Sequence, residues 1–177
     1  MQRWRVPLGF VCAALFFVLS RPTLLTLAIG GAVAVIGLAL RAWASGYLRK
    51  NDELATSGPY AHTRNPLYLG SLLIGLGFSI AAGRLSLGVL FLLLFLGIYV
   101  PVMRIESATL AKLFGARFEK YRQEVPPLVP RLSSYRDQEN DRVKFDASLY
   151  RRYREYRAAL GLIAAWALLA LKAVYFK

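Results

Sequence analysis

Leu85 to Met103 runs for 19 residues without one charged side chain. As an α-helix this stretch is about 28 Å long, close to the thickness of a bilayer's hydrocarbon core. In lipid every backbone N–H and C=O must find a partner within the segment, so such a run is a helix. The rest of the chain has to be compatible with that placement, and it is. Apolar runs also occupy Leu24 to Ala44, Pro66 to Ala82 and Ala158 to Phe176, with a shorter one between Trp4 and Ser20. The last lies behind Arg3 and Arg5, as the apolar part of a signal peptide would. Arg21-Pro22 leads from it straight into another apolar run, however, so it is read as a first span. The expected fold is an all-α polytopic membrane protein with about five transmembrane helices.

Residues 1–177 are expected to form a single membrane domain. Two N-terminal helices fill residues 1–44, a core occupies 45–131, and a basic interfacial segment with a final helix makes up 132–177. A net charge of +13 would suggest nucleic acid in a soluble protein. Here the charges flank apolar spans, which points instead to retention on the cytoplasmic side and to anionic membrane lipid. With five spans, one side holds Arg3, Arg5, Arg41, Arg49, Lys50, Arg64 and all the basic residues from Arg104 to Arg157. The other holds only Arg21, Arg84, Lys172 and Lys177. The first side is expected to be cytoplasmic, in a prokaryotic cytoplasmic membrane. Cys12 is the only cysteine and His62 the only histidine, which leaves no basis for a disulfide or a metal centre. His62 reads as a solvated loop residue. Arg41 and Trp43 suit a snorkelling arginine and an interfacial tryptophan. Gly75 and Gly77 lie inside an apolar helix and read as packing positions. Tyr150 to Arg157 reads as a basic approach to the last helix along the membrane surface.

One polar stretch interrupts this pattern with more chemistry than a connector needs. It is Thr56 to Gly70, TSGPYAHTRNPLYLG. Gly58-Pro59 signals a tight turn. Pro66 suits the first position of a helix, so that helix should begin near Asn65 with its positive dipole end facing the loop. Tyr60, Arg64 and Tyr68 surround that end. Farther on, Gly115 is expected to break the helix that continues past Met103, with a short helix from Arg117 to Glu124 ended by Pro126, Pro127 and Pro130. Glu106 follows the 19-residue apolar run at the membrane boundary. Alone it is as compatible with a solvated carboxylate as with a site, although ionisable groups this near a membrane interior are functional candidates.

GPY followed by R-N-P-x-Y-x-G resembles the isoprenylcysteine carboxyl methyltransferase and phospholipid methyltransferase superfamily. Glu106, Leu110, Phe114-Gly115, Tyr121 and the Val125-Pro126 to Pro130 segment extend the resemblance, which covers about residues 45–131. It implies an integral membrane enzyme that takes its methyl group from S-adenosylmethionine and gives it to a lipophilic or lipid-like acceptor. By that resemblance the cofactor contacts are Leu54, Ala55, Tyr60, Asn65, Pro66, Leu67, Tyr68 and Glu106. Arg64 and Glu106 are its candidate catalytic groups, with pinning of the loop an equal reading for Arg64. The tyrosine faces suit a sulfonium cation. A carboxylate suits ribose hydroxyls or an ammonium group.

Three departures bear on substrate and cofactor. Asn65 stands where the carboxyl methyltransferases usually carry histidine, so it is not an ionisable base. Ser107 stands where the family usually has a second acidic residue. The family's arginine for the substrate carboxylate falls on Val102; Arg104 is two residues from Glu106 and so on a different helix face. Val102 and Arg104 are the candidate acceptor-binding positions. Membrane reductases of the sterol type share a related loop and bind NADPH, but Leu67 and Ser71 depart from their R-H-P-N-Y-x-G-E pattern. A non-enzymatic membrane protein is the third reading.

Overall fold

The computed structural model describes residues 14, 16–49, 53–136 and 143–175. Among these there is no strand. The helices are α1 (Leu24–Ser45), α2 (Pro66–Ala81), α3 (Leu85–Glu124), α4 (Ala147–Arg152) and α5 (Tyr156–Tyr175), with a 3₁₀ turn at Gly58–Ala61. The expected span from Trp4 to Ser20 lies for the most part outside the described residues, as does Cys12.

Local chemistry sets the boundaries. Thr23 caps α1: its hydroxyl accepts from the Thr26 N–H at 3.1 Å, and the Thr26 hydroxyl accepts from the Thr23 N–H at 2.9 Å. Pro66 occupies the first position of α2, where its lack of an N–H costs nothing. Gly83, at φ +65°, ends the chain's run at the far end of α2. Gly115, at φ +52° and ψ −129°, breaks α3 into an apolar rod and a short amphipathic arm.

The helices α1 and α2 cross through glycines. A Cβ on Gly70 would lie 2.7 Å from the Gly37 carbonyl oxygen, and one on Gly77 would lie 2.5 Å from that of Gly30. Such contact replaces the hydrophobic driving force that is missing between helices in lipid. Gly77 is thus a packing position, and Gly75 lies against the Phe91 ring of α3.

Among the described residues three helices, α1, α3 and α5, are long and apolar enough to cross a membrane. That is fewer than the five expected, and α2, expected over Pro66 to Ala82, is a shorter apolar helix. With 16 residues, α2 is about 24 Å long, short of the roughly 30 Å of hydrocarbon. Its start is fixed by the folded loop before Pro66 and its end by Gly83. The two ends of the bundle carry different charges. At one end the Arg21 N–H donates to the Ala82 carbonyl at 2.7 Å, and Lys172 donates to the carbonyls of Phe17 and Val18. At the other end lie Arg41, Arg64, Glu106 and Glu155.

Candidate functional site

The loop from Thr56 to Asn65 is held by a second extended segment, residues 125–135. Its prolines have no N–H to donate but leave their carbonyls as acceptors. The Arg64 N–H donates to the Pro126 carbonyl at 2.9 Å, and the Asn65 amide donates to that of Pro127 at 2.8 Å. The Thr63 hydroxyl donates to the Leu128 carbonyl at 3.1 Å. In return, the Arg131 and Tyr135 N–H groups donate to the His62 and Ala61 carbonyls, both at 2.9 Å. From the arm of α3 the buried Tyr121 hydroxyl donates to the Tyr60 carbonyl at 2.7 Å. Leu54, Ala61, Phe118, Tyr121, Val125 and Tyr135 form the apolar core beneath. Gly58 takes φ +59° with the Tyr47 ring packed over it, so a side chain there would be both strained and obstructed.

Above this clasp lies a cavity of about 550 Å³. Leu54, Ala55, Tyr60, Arg64, Asn65, Leu67, Tyr68, Val102 and Glu106 all line it. Pro66 is buried beside it without lining it, and Arg104 is exposed outside it. Arg104 stands two positions before Glu106, about 200° around a helix, which turns it away. The bond that joins the two halves of the site runs from the Tyr68 hydroxyl to Glu106 Oε2 at 2.8 Å, across 38 positions of sequence. The Tyr68 ring also packs on Tyr99, with centroids 5.1 Å apart.

Two groups are unusual. The Nε of Arg64 is buried and has no hydrogen-bond partner among the described residues. Burial lowers the pKa of its guanidinium from the ordinary arginine value, yet arginine stays charged in proteins. An unpaired donor on a cation is costly in a finished structure and calls for an anionic or acceptor group. Tyr60 is buried, and that burial, followed by the proximity of Tyr121 and Glu106, pushes its phenol pKa up. It stays a neutral hydroxyl at physiological pH.

The cavity also takes in Leu48, Glu53, Ile105, Ser107, Thr109, Leu110, Phe118 and Tyr121. The i, i+3, i+4 spacing of Val102, Ile105, Glu106, Thr109 and Leu110 marks one helix face, and Glu106 as anchor is the signal that finds it. Leu48 and Glu53 carry no such signal. His62 is not the solvated residue expected: it is half-buried, with Nδ1 2.9 Å from the Arg131 carbonyl. Its place in the clasp accounts for that. Among the described residues no group of three His, Cys, Asp or Glu stands together. Val102 and Ile105 are 38% and 68% exposed, so the cavity lining continues onto the outer face of α3.

A model of the phospholipid methyltransferase family matches residues 8–117. The cobalt-zinc-cadmium resistance protein CzcN of Cupriavidus metallidurans is 40% identical over 143 residues, 75% of this chain and 64% of its own length. The nickel-cobalt-cadmium resistance protein NccN of Alcaligenes xylosoxydans xylosoxydans is 32% identical over 145 residues, 76% of this chain and 66% of its own. This chain thus spans just under two thirds of either bacterial relative. The protein-S-isoprenylcysteine O-methyltransferase of Schizosaccharomyces pombe is 34% identical over 84 residues, 46% of this chain and 36% of its own. No solved structure matches.

Proposed function

We propose, for a chain that belongs to the phospholipid methyltransferase family, that the cavity binds S-adenosylmethionine and directs its methyl group to a lipophilic acceptor arriving from the bilayer. The observation that carries this reading is the convergence of the 54–68 loop and Glu106 on one cavity, joined by the Tyr68–Glu106 hydrogen bond. Its volume lies within the usual 300–1,000 Å³ range of small-molecule sites.

The residues fit the cofactor group by group. The Arg64 Nε, buried and unpartnered among the described residues, suits a carboxylate. The first turn of α2, with its free N–H groups and positive dipole end, favours the same charge. The ring faces of Tyr60 and Tyr68 suit a cation, and Glu106 accepts from hydroxyls or an ammonium. When bound, S-adenosylmethionine supplies a methyl group on a sulfonium. The protein's task is then to hold the acceptor in line and keep water out, rather than to form a covalent bond of its own.

Glu106 accepts the Tyr68 hydroxyl and serves binding. Arg64 acts beside the cofactor, while its backbone N–H anchors the loop to Pro126. The acceptor approaches over Val102 and Ile105. Valine offers no counter-charge, and an unpaired carboxylate brought into an apolar site carries a large desolvation cost. A neutral or differently anchored lipophile is therefore the preferred acceptor. The metal-resistance names of the two bacterial relatives do not specify a reaction.

Isothermal titration of the purified protein with S-adenosylmethionine and, separately, NADPH tests the reading. Saturable binding of the first alone is expected. Binding of NADPH alone would replace the methyltransferase with a reductase, and binding of neither would remove the cofactor site.

A further inference from the structure

The turn before the last helix is tied, through Arg41, to the first turn of α2. Arg41, near the end of α1, donates from Nε to Glu155 Oε2 and from Nη2 to Glu155 Oε1, both at 2.9 Å. Its remaining nitrogen, Nη1, donates to the Leu67 carbonyl at 3.2 Å and to the Ser71 hydroxyl at 2.6 Å. Both partners of the pair are largely shielded, with side chains 22% and 11% exposed. The expected snorkelling arginine is thus a fixed fork between three helices. Gly70 belongs to the same arrangement: a Cβ there would lie 2.5 Å from Arg41 Cγ, so the motif glycine makes room for the arginine stem.

A second observation is independent of that pair. Arg154, immediately before Glu155, takes φ +57° and is the only non-glycine residue among those described with positive φ. A left-handed arginine is disfavoured sterically and persists where surrounding contacts determine it. It sits between the end of α4 and the start of α5 and turns Glu155 toward Arg41. The same segment bears on the cavity wall. After burial, Tyr121 and Glu106, the nearby Tyr153 and Glu155 add smaller contributions that raise the Tyr60 phenol pKa.

We infer that Arg41 and Glu155 are positioning residues of the cavity: they clamp the first turn of α2, which carries Leu67 and Tyr68, to the start of α5. Glu155 lies outside the family-matched stretch of residues 8–117, so the affinity of the cavity depends on a part of the chain that the family match does not include. The effect on affinity rests on the reading of the cavity as a cofactor site. The clamp itself does not.

The test uses the full chain in lipid nanodiscs. Hydrogen exchange of residues 65–71 is followed without cofactor, S-adenosylmethionine binding is measured by titration, and the unfolding midpoint is recorded. In Glu155→Gln, exchange over 65–71 should rise about tenfold and affinity fall by a similar factor, as expected for one lost charge-assisted contact. The reciprocal variant Arg41→Glu with Glu155→Arg restores an ion pair but gives Leu67 no donor from position 41. It should regain the wild-type midpoint and still bind weakly, a split that a merely structural salt bridge would not produce. Arg41→Lys, which keeps the charge but cannot hold Glu155 and Leu67 together, carries the test should Glu155→Gln fail to fold. Exchange over 65–71 within twofold of wild type in the folded variants would overturn the inference. A reciprocal variant that recovers full affinity would overturn it too. If the wild type binds no S-adenosylmethionine while exchange responds as described, the clamp stands and the cofactor reading falls.

Discussion

Gly37→Ala puts the architecture of the site to a quantitative test. A Cβ at Gly37 would stand 2.6 Å from the Gly70 carbonyl oxygen, 2.8 Å from Leu73 Cβ and 2.9 Å from the Ile74 nitrogen. Two of these atoms are backbone, so no rotamer change relieves the overlap. To reach ordinary contact the two helices must separate by roughly 0.5–1 Å. Overpacking of this kind costs about 1–3 kcal/mol. Alanine also gains about 1 kcal/mol of helix propensity over glycine, which masks part of the loss. Gly97→Ala in α3 removes that ambiguity, because a Cβ at Gly97 meets nothing within 4 Å. Both variants share the propensity gain, so the difference between them isolates the packing cost and should be about 1–3 kcal/mol. The same separation moves α2, and with it Tyr68, whose hydroxyl lies 2.8 Å from Glu106. Affinity for S-adenosylmethionine should then drop about tenfold in Gly37→Ala and stay at the wild-type level in Gly97→Ala. Reversible unfolding in mixed micelles followed by circular dichroism, with calorimetric titration, measures both. Two variants of equal stability and equal affinity would refute the claim that the glycine crossing holds the cofactor turn in place.

Other expectations follow from single side chains. Glu106→Gln and Tyr68→Phe should each weaken S-adenosylmethionine binding about tenfold, at the low end for a bond to a charged group because Glu106 is exposed; titration of the folded variants checks this. Arg64→Met removes a buried donor unpartnered among the described residues, so it should raise the cofactor-free unfolding midpoint while lowering affinity; a change of the same sign in both would count against a ligand-holding role. Arg154→Gly relieves a left-handed arginine at the entropic cost of glycine, for a net gain of about 0.5–1 kcal/mol with unchanged affinity, read by thermal unfolding and titration. Val102→Arg sets a guanidinium one helical turn from Glu106 and should raise methylation of a prenylcysteine-type carboxylate over a poor wild-type rate, measured with radiolabelled methyl donor.

What the sequence reveals here divides by the range of the interaction. The start of α1 after Thr23, the start of α2 at Pro66 and the break at Gly115 were legible because capping, proline and glycine act within a turn or two. The helix face Val102, Glu106, Leu110 was legible because its period is local. The bounds of α2 were legible too, Pro66 to Ala82 expected and Pro66–Ala81 found, and the helix is simply shorter than the other apolar ones. His62 was misjudged because its place is set by the folded loop around it. The backbone carbonyls of Pro126, Pro127 and Leu128 hold the motif loop, and a carbonyl has no letter in the sequence. The reach of Arg41 to Glu155 spans 114 positions and had no local sign at all. Arg41 alone looked like an ordinary snorkelling arginine, and Glu155 fell within a stretch that read only as a basic approach to the last helix. Their pairing becomes visible only when α2 is placed between them, because Gly70 leaves room for the arginine stem and the Leu67 carbonyl takes its third nitrogen. The motif glycine Gly70 is thus a contact surface for a residue that no motif includes. That makes the last helix part of the site's geometry, although every residue proposed to touch the cofactor lies before it.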